Sequence, residues 1–188
     1  MGAWQMEQAQ EAIHHAFLTI ISTANAFLSS KEARMHVLAL ETLDELKEYI
    51  GKEIGTSEWL TVTQERISQF AEATEDRQWI HVDRERARRE SPYGATVAHG
   101  FLTLSLISHF MKEVVRIGSG RLLTINYGLN RVRFPSPVRE GARIRGHFTL
   151  VNVLERGEAG EAVFSCSVEC EGKEKPGCVA EWIVRYRK

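Results

Sequence analysis

An acid and a histidine five residues apart, Asp76 and His81, lie in the stretch TEDRQWIHVD, with the indole of Trp79 between them. A carboxylate and an imidazole that share one water can remove a proton from it and deliver one elsewhere, each contributing about 10²–10⁴-fold when well placed. Histidine suits this work because its pKa lies near neutral pH. Regular structure does not bring the two together. Five residues rotate a helix about 140° from the starting face, and an odd step in a strand lands on the opposite face. The stretch is therefore either a plain surface turn or an irregular segment aiming both side chains into one pocket. Taken singly, Asp76 reads as a helix-ending residue and His81 as a structural histidine. Eighteen residues after His81, His99-Gly100 opens the most hydrophobic segment, TVAHGFLTLSLISHFMKEVVRIG. A glycine at a helix start lets a substrate approach a backbone N–H, where partial positive charge favours a developing anion. The pair and the glycine together shift the balance to acid–base catalysis.

The elements around these residues must supply the bend. Thr63 is a good N-cap for QERISQFAEAT, with Ile67, Phe70, Ala71 and Thr74 on one face, so that helix runs out just before Asp76. Asp83 caps a short arginine-rich turn, RERARRE, and Ser91-Pro92-Tyr93-Gly94 reads as a loop. The segment from Thr96 to Gly118 is predicted to be one long helix, apolar on nearly all sides and so almost wholly buried. Upstream, a helix is expected over residues 5–28, a second from about Glu41 to Ile50 ending at Gly51, and a strand over Ser57–Val62. From Arg121 the period changes to two and four strands follow. In the third, Phe164, Cys166, Val168 and Cys170 share a face. A sheet of four or five strands with one buried helix packs economically when the sheet curls around the helix.

The chain has 188 residues and a net charge of −1, without the basic excess a nucleic-acid protein needs. Its longest apolar-looking run, AFLTIISTANAFL, is too short to span a bilayer, so no membrane role is expected. Cys166 and Cys170, if on one strand, lie about 13 Å apart, beyond disulfide reach. Together with Cys178 they read as reduced thiols of an intracellular, cytoplasmic protein. An organellar matrix applies if the N-terminal extension is a targeting segment. His14-His15 reads as surface, and no ligand cluster calls for a metal.

The stretch FAEATEDRQWIHVD followed by AHGFL resembles the MaoC-like, (R)-specific enoyl-CoA hydratases, in particular their nodulation-protein-N-like branch. The resemblance covers residues 41–188 as one domain; residues 1–40 form a helical extension outside it. It implies an α+β hot-dog fold, an antiparallel sheet wrapped around a long central helix, and a homodimer. The implied activity is hydration of a trans-2-enoyl-CoA to the (R)-3-hydroxyacyl-CoA, or the reverse dehydration, with coenzyme A as part of the substrate and no cofactor. Asp76 and His81 become the catalytic pair, Gly100 the donor to the thioester oxygen, Ser108 a supporting serine. His99 is placed with Gly100 and Ser108 at the substrate, and by its own residue type either orients the loop or packs. Ser108 is balanced between substrate contact and bonding to the preceding turn. For the coenzyme A phosphates the candidates are Arg131 and Arg133, paired on one strand face, and Arg84; the run from Arg84 to Arg89 also reads as a solvated face. The sequence departs from the family pattern D-x-N-P-[LIV]-H at Gln78 and Trp79, and from its frequent glycine at Glu75. The altered acyl pocket keeps two rivals open: a non-catalytic acyl-thioester-binding protein, and a hot-dog thioesterase, for which the central helix offers only Glu113.

Overall fold

The computed structural model describes residues 37–118, 122–156 and 159–187. The helix expected over residues 5–28 and the His14-His15 pair lie outside the described residues. The first elements are β1 (Leu38–Leu40), α1 (Leu43–Lys47), β2 (Glu53–Thr56) and β3 (Leu60–Thr61). Around the site follow α2 (Gln64–Thr74), α3 (Trp79–Val82), α4 (Arg84–Glu90), α5 (Gly100–Ser105) and α6 (Ile107–Val114). The chain closes with β4 (Val115–Ile117), β5 (Leu123–Arg133), β6 (Arg143–Arg156), β7 (Ala159–Cys170) and β8 (Cys178–Arg187).

The long strands pair antiparallel in the order β6-β7-β8-β5, and β2 and β3 both pair along the remaining edge of β6. Alternation decides which face is covered. Ile144, Phe148 and Leu150 of β6, Phe164, Cys166, Val168 and Cys170 of β7, and Ala180, Trp182 and Val184 of β8 are buried on the inner face. The face drawn for the third strand from sequence is thus the buried one. Cys166, Cys170 and Cys178 are free, buried thiols, and burial pushes that of Cys178 up to about 12. Against this face lie Ile107, Phe110, Met111 and Val114 of α6. A Cβ on Gly146 would come within 2.9 Å of Phe110 Cβ, so the glycine is what lets α6 settle onto β6. Among the described residues no helix is long and apolar enough to cross a membrane.

Three expectations are corrected. The segment from Thr96 to Gly118 is not one helix buried all round. Residues 96–99 are extended, α5 and α6 are separated at Leu106, and Val115–Ile117 leave the helix to pair in parallel with Leu38–Leu40. One side of it is open: Phe101 is 70% exposed, and Ser105, His109 and Lys112 are exposed too. The strand expected over Ser57–Val62 is interrupted, because Ser57 turns inward and its hydroxyl accepts the Gly146 N–H at 2.8 Å. Thr74 is exposed rather than on the packed face of α2, and its hydroxyl donates to Phe70 O at 2.7 Å.

Candidate active site

The irregular segment that the Asp76–His81 spacing demands is present. Thr63 caps α2, its hydroxyl accepting the Arg66 N–H at 3.3 Å, and the helix ends at Glu75 in the left-handed region (φ 60°, ψ 10°). A glycine would hold that conformation without a side-chain penalty, which gives the family's preference at this position a physical reason. Here the bend is braced instead by Arg77, which donates to both Glu72 oxygens (2.9 and 2.7 Å) and to Glu75 (2.7 Å). Residues 76–78 are irregular, and the single helical turn of α3 then swings His81 inward. Asp83 caps α4 as expected, accepting the Arg86 N–H at 2.9 Å. Trp79 is half-buried, with the Arg86 guanidinium 4.4 Å from its ring centre, so one face of the indole is capped by a cation.

His81 is buried, and its Nδ1 lies 2.6 Å from the Val97 carbonyl. A carbonyl only accepts, so Nδ1 carries the hydrogen and Nε2 keeps its lone pair. His99, 3% exposed, stacks on His81 with ring centroids 3.7 Å apart and planes at 26°. Its Nε2 donates to the Asp76 carbonyl at 2.9 Å and stands 3.9 Å from the Asp76 carboxylate. Donor atoms of Asp76, His81 and His99 all fall within 4.8 Å of one another. Burial holds the His81 imidazole below its ordinary value; the Val97 carbonyl opposes this, His99 adds to it, and the Asp76 carboxylate opposes it. The three residues have the donor types of a cation site. Yet one nitrogen of each ring is spent on a carbonyl and the rings lie face to face instead of converging, an arrangement suited to moving protons.

A polar relay fixes this cluster from behind. Gln64 Nε2 donates to the His81 carbonyl at 2.8 Å, and the fully buried Thr96 hydroxyl donates to Gln64 Oε1. Thr96 and Ala98 are pinned to the neighbouring loop through Glu140 N–Thr96 O (2.9 Å) and Ala98 N–Val138 O (2.7 Å). Gly100 is the first residue of α5, so its N–H has no acceptor inside the helix. A Cβ there would meet the Phe134 ring at 2.9 Å, so packing by itself favours glycine at this position.

The remaining sequence candidates lie elsewhere. Ser108 donates to the Ser105 carbonyl at 3.1 Å and lines a cavity of about 130 Å³ with Leu104, Ser105, Ile107, Asn126, Leu129 and Trp182, one to two turns along from Gly100. Arg84 pairs with Glu140 at the back of the relay, its Nε donating at 3.1 Å. Arg131 and Arg133 register with Glu181 and Val179, on the sheet face opposite Val132 and the core. Arg133 nevertheless directly precedes Phe134, the residue over Gly100. Glu113 accepts the Glu58 N–H at 3.0 Å and lies 3.5 Å from His109, far along the helix from Gly100. Sequence reasoning passed over Val97, Gln64, Thr96 and Phe134. A backbone carbonyl and a glutamine 17 residues away carry no signal in a single sequence. The RFPSP turn after Arg133 is the one cue that could have drawn attention to Phe134.

The family model for the MaoC like domain matches residues 45–168. The 3-hydroxyacyl-thioester dehydratase Z of Mycobacterium tuberculosis is 48% identical over 147 residues, covering 78% of this chain and 96% of the relative. Nodulation protein N of Rhizobium meliloti is 43% identical over 150 residues, covering 79% of this chain and 91% of the relative. Among solved structures, the (R)-hydratase from A. caviae superposes with a TM-score of 0.58 at 19% identity, over 72% of this chain and 94% of that one, a likeness of fold. The fold is therefore the α+β hot-dog arrangement implied by the resemblance. The chain belongs to the MaoC-like dehydratase family and is a hydro-lyase by that membership.

Proposed function

We propose that this chain adds water across trans-2-enoyl thioesters to give (R)-3-hydroxyacyl thioesters, or removes it in the reverse direction, with Asp76 and His81 activating one water. The observation that carries the reading is that His81, whose Nδ1 is fixed by Val97 and whose Nε2 is left bare, brings a ring nitrogen within 4.8 Å of the Asp76 carboxylate. In hydration one member of the pair takes a proton from the water as its oxygen bonds to Cβ. The Cα–Cβ π pair moves toward the thioester, whose carbonyl oxygen gathers charge, and a proton is delivered to Cα as the carbonyl reforms. The Gly100 N–H at the start of α5 is the donor for that oxygen. Dehydration runs the same steps backward.

The cavity beside Ser105, Ser108 and Trp182 takes the acyl chain. Arg133, at the Phe134 end of β5, is the best placed of the three arginines for a coenzyme A phosphate, since Arg84 is already paired with Glu140. A homodimer forms over the open side of α5 and β5, where Phe101 (70%), Leu123 (62%) and Tyr127 (51%) are exposed. The test is loss of enoyl absorbance with crotonyl-CoA for the native protein, Asp76→Asn and His81→Ala. The expected result is turnover that both substitutions abolish in folded protein. Retained coenzyme A thioester binding without turnover on crotonyl-CoA or longer enoyl-CoAs would replace this reading with that of an acyl-thioester-binding protein.

A further inference from the structure

His99 is buried more deeply than either member of the proposed pair, and packing alone does not explain an imidazole there. Its Nδ1 is buried without a partner, a cost that a phenyl ring or leucine in the same space would avoid. What the imidazole provides lies on its other edge. Nε2–H holds the Asp76 carbonyl at 2.9 Å, while the ring stacks on that of His81 with centroids 3.7 Å apart and meets the Phe70 ring, tilted, at 5.1 Å. One side chain thus touches both members across a bend that no regular structure fixes. It is itself held rigidly, as the N-cap of α5, between Ala98, tied to Val138, and Gly100, packed on Phe134.

We propose that His99 is the positioning residue of the Asp76–His81 pair, its Nε2–H pinning the Asp76 main chain while its ring fixes the plane of His81, so that the carboxylate and the free Nε2 of His81 address one water. The proposal rests on the hydratase reading of the pair and adds to it a residue that acts through the other two without touching substrate. It gives the reading of His99 as a loop-orienting residue a specific geometry and replaces that of simple packing and of a substrate contact. The groups facing His81 are Asp76 from the bend after α2 and His99 from the start of α5; the neutral Gln64 amide and Thr96 hydroxyl stand behind its backbone, with the Arg84–Glu140 pair beyond them.

Two substitutions separate the two contacts. His99→Phe keeps a ring against His81 and removes the donor to Asp76; His99→Gln keeps an amide donor and removes the stack. With crotonyl-CoA, His99→Phe is expected to lower kcat about ten- to a hundredfold, as a small misplacement of catalytic groups does, with KM changed less than about threefold. His99→Gln recovers kcat to within about tenfold of native. Nitrogen NMR of the His81 ring, recorded without substrate, reads the same residue independently of turnover: in His99→Gln the His81 titration moves upward, because the neighbouring imidazole is gone. Native kcat in His99→Phe, or an unmoved His81 titration in His99→Gln, overturns the positioning role. Should His99→Phe fail to fold, the His99→Gln titration decides. Absence of turnover in the native protein would instead remove the hydratase reading, and the NMR result would still stand or fall by itself.

Discussion

On β6, His147 uses both ring nitrogens, Nδ1 with the Thr56 hydroxyl at 2.9 Å and Nε2 with the Glu169 carboxylate at 2.7 Å, whereas His81 and His99 each commit one nitrogen to a backbone carbonyl. Around His147 the network closes on itself. Arg145 also donates to Glu169, at 2.6 Å, and although burial pushes that carboxyl up, the His147 and Arg145 bonds outweigh it and hold it below its ordinary value. Such a site spends its donors on structure and leaves nothing over for a substrate. At the Asp76–His81 bend the arrangement is reversed: backbone carbonyls set the tautomers, the carboxylate stays 56% exposed, and a lone pair remains on His81. On the proposed reading, what separates His81 from His147 is less burial than the lone pair that His81 keeps uncommitted.

The largest expected effect breaks this contrast directly. His81→Ala lowers kcat about 10²–10⁴-fold, while His147→Ala leaves kcat within about twofold and instead costs about 1 kcal/mol of stability, read by urea unfolding. Loss of activity in His147→Ala with unchanged stability would show that the two sites had been assigned the wrong way round.

Next in size is Gly100→Ala. The new methyl runs into the Phe134 ring, at a cost of about 1–3 kcal/mol for overpacking. Because the clash is with the Phe134 ring, Phe134→Ala combined with Gly100→Ala restores most of that stability; a double variant no more stable than Gly100→Ala would place the clash elsewhere.

The pH dependence follows from His81. Its folded value lies below the ordinary 6.5, so the unfolded chain binds more protons between the two values. Its contribution to stability is therefore complete above 6.5 and is lost as pH falls from there through the folded value. With His81 as the member that takes the proton from water, activity shows an acid limb in the same window, below pH 6.5, as the Nε2 lone pair is protonated. An acid limb centred above pH 6.5 in native protein would contradict a buried, neutral His81.

The smallest effect is at the bend. Glu75→Gly relieves a left-handed backbone that costs a side chain about 1–2 kcal/mol, and loses only an exposed ion pair with Arg77, which keeps Glu72. The net is a gain of about 1 kcal/mol in thermal or urea unfolding. A loss would mean that Arg77 braces the bend more strongly than an exposed pair should.

Much of this was legible in the sequence because the signals were local. Thr63, the helix it caps, the four strands from Leu123 onward, and the need for an irregular link between Asp76 and His81 all follow from spacing and residue type within a few positions. The central segment misled for a physical reason: an apolar residue facing open surface, such as Phe101, reads in sequence like one facing the core. Two register shifts in β5, between Asn126 and Gly128 and between Leu129 and Arg131, also leave no mark in a period-two pattern. The site's supports were hidden for another reason. The Val97 carbonyl has no residue type of its own, and Gln64 and Phe134 reach the site only once the chain is folded.

The most direct test of the central claim is the product formed from crotonyl-CoA in deuterium oxide. If Asp76 and His81 add one water, the product is (R)-3-hydroxybutyryl-CoA carrying a single deuterium at Cα, and neither Asp76→Asn nor His81→Ala forms it at an appreciable rate. An (S) product, or hydration that survives His81→Ala at near-native rate, would contradict it.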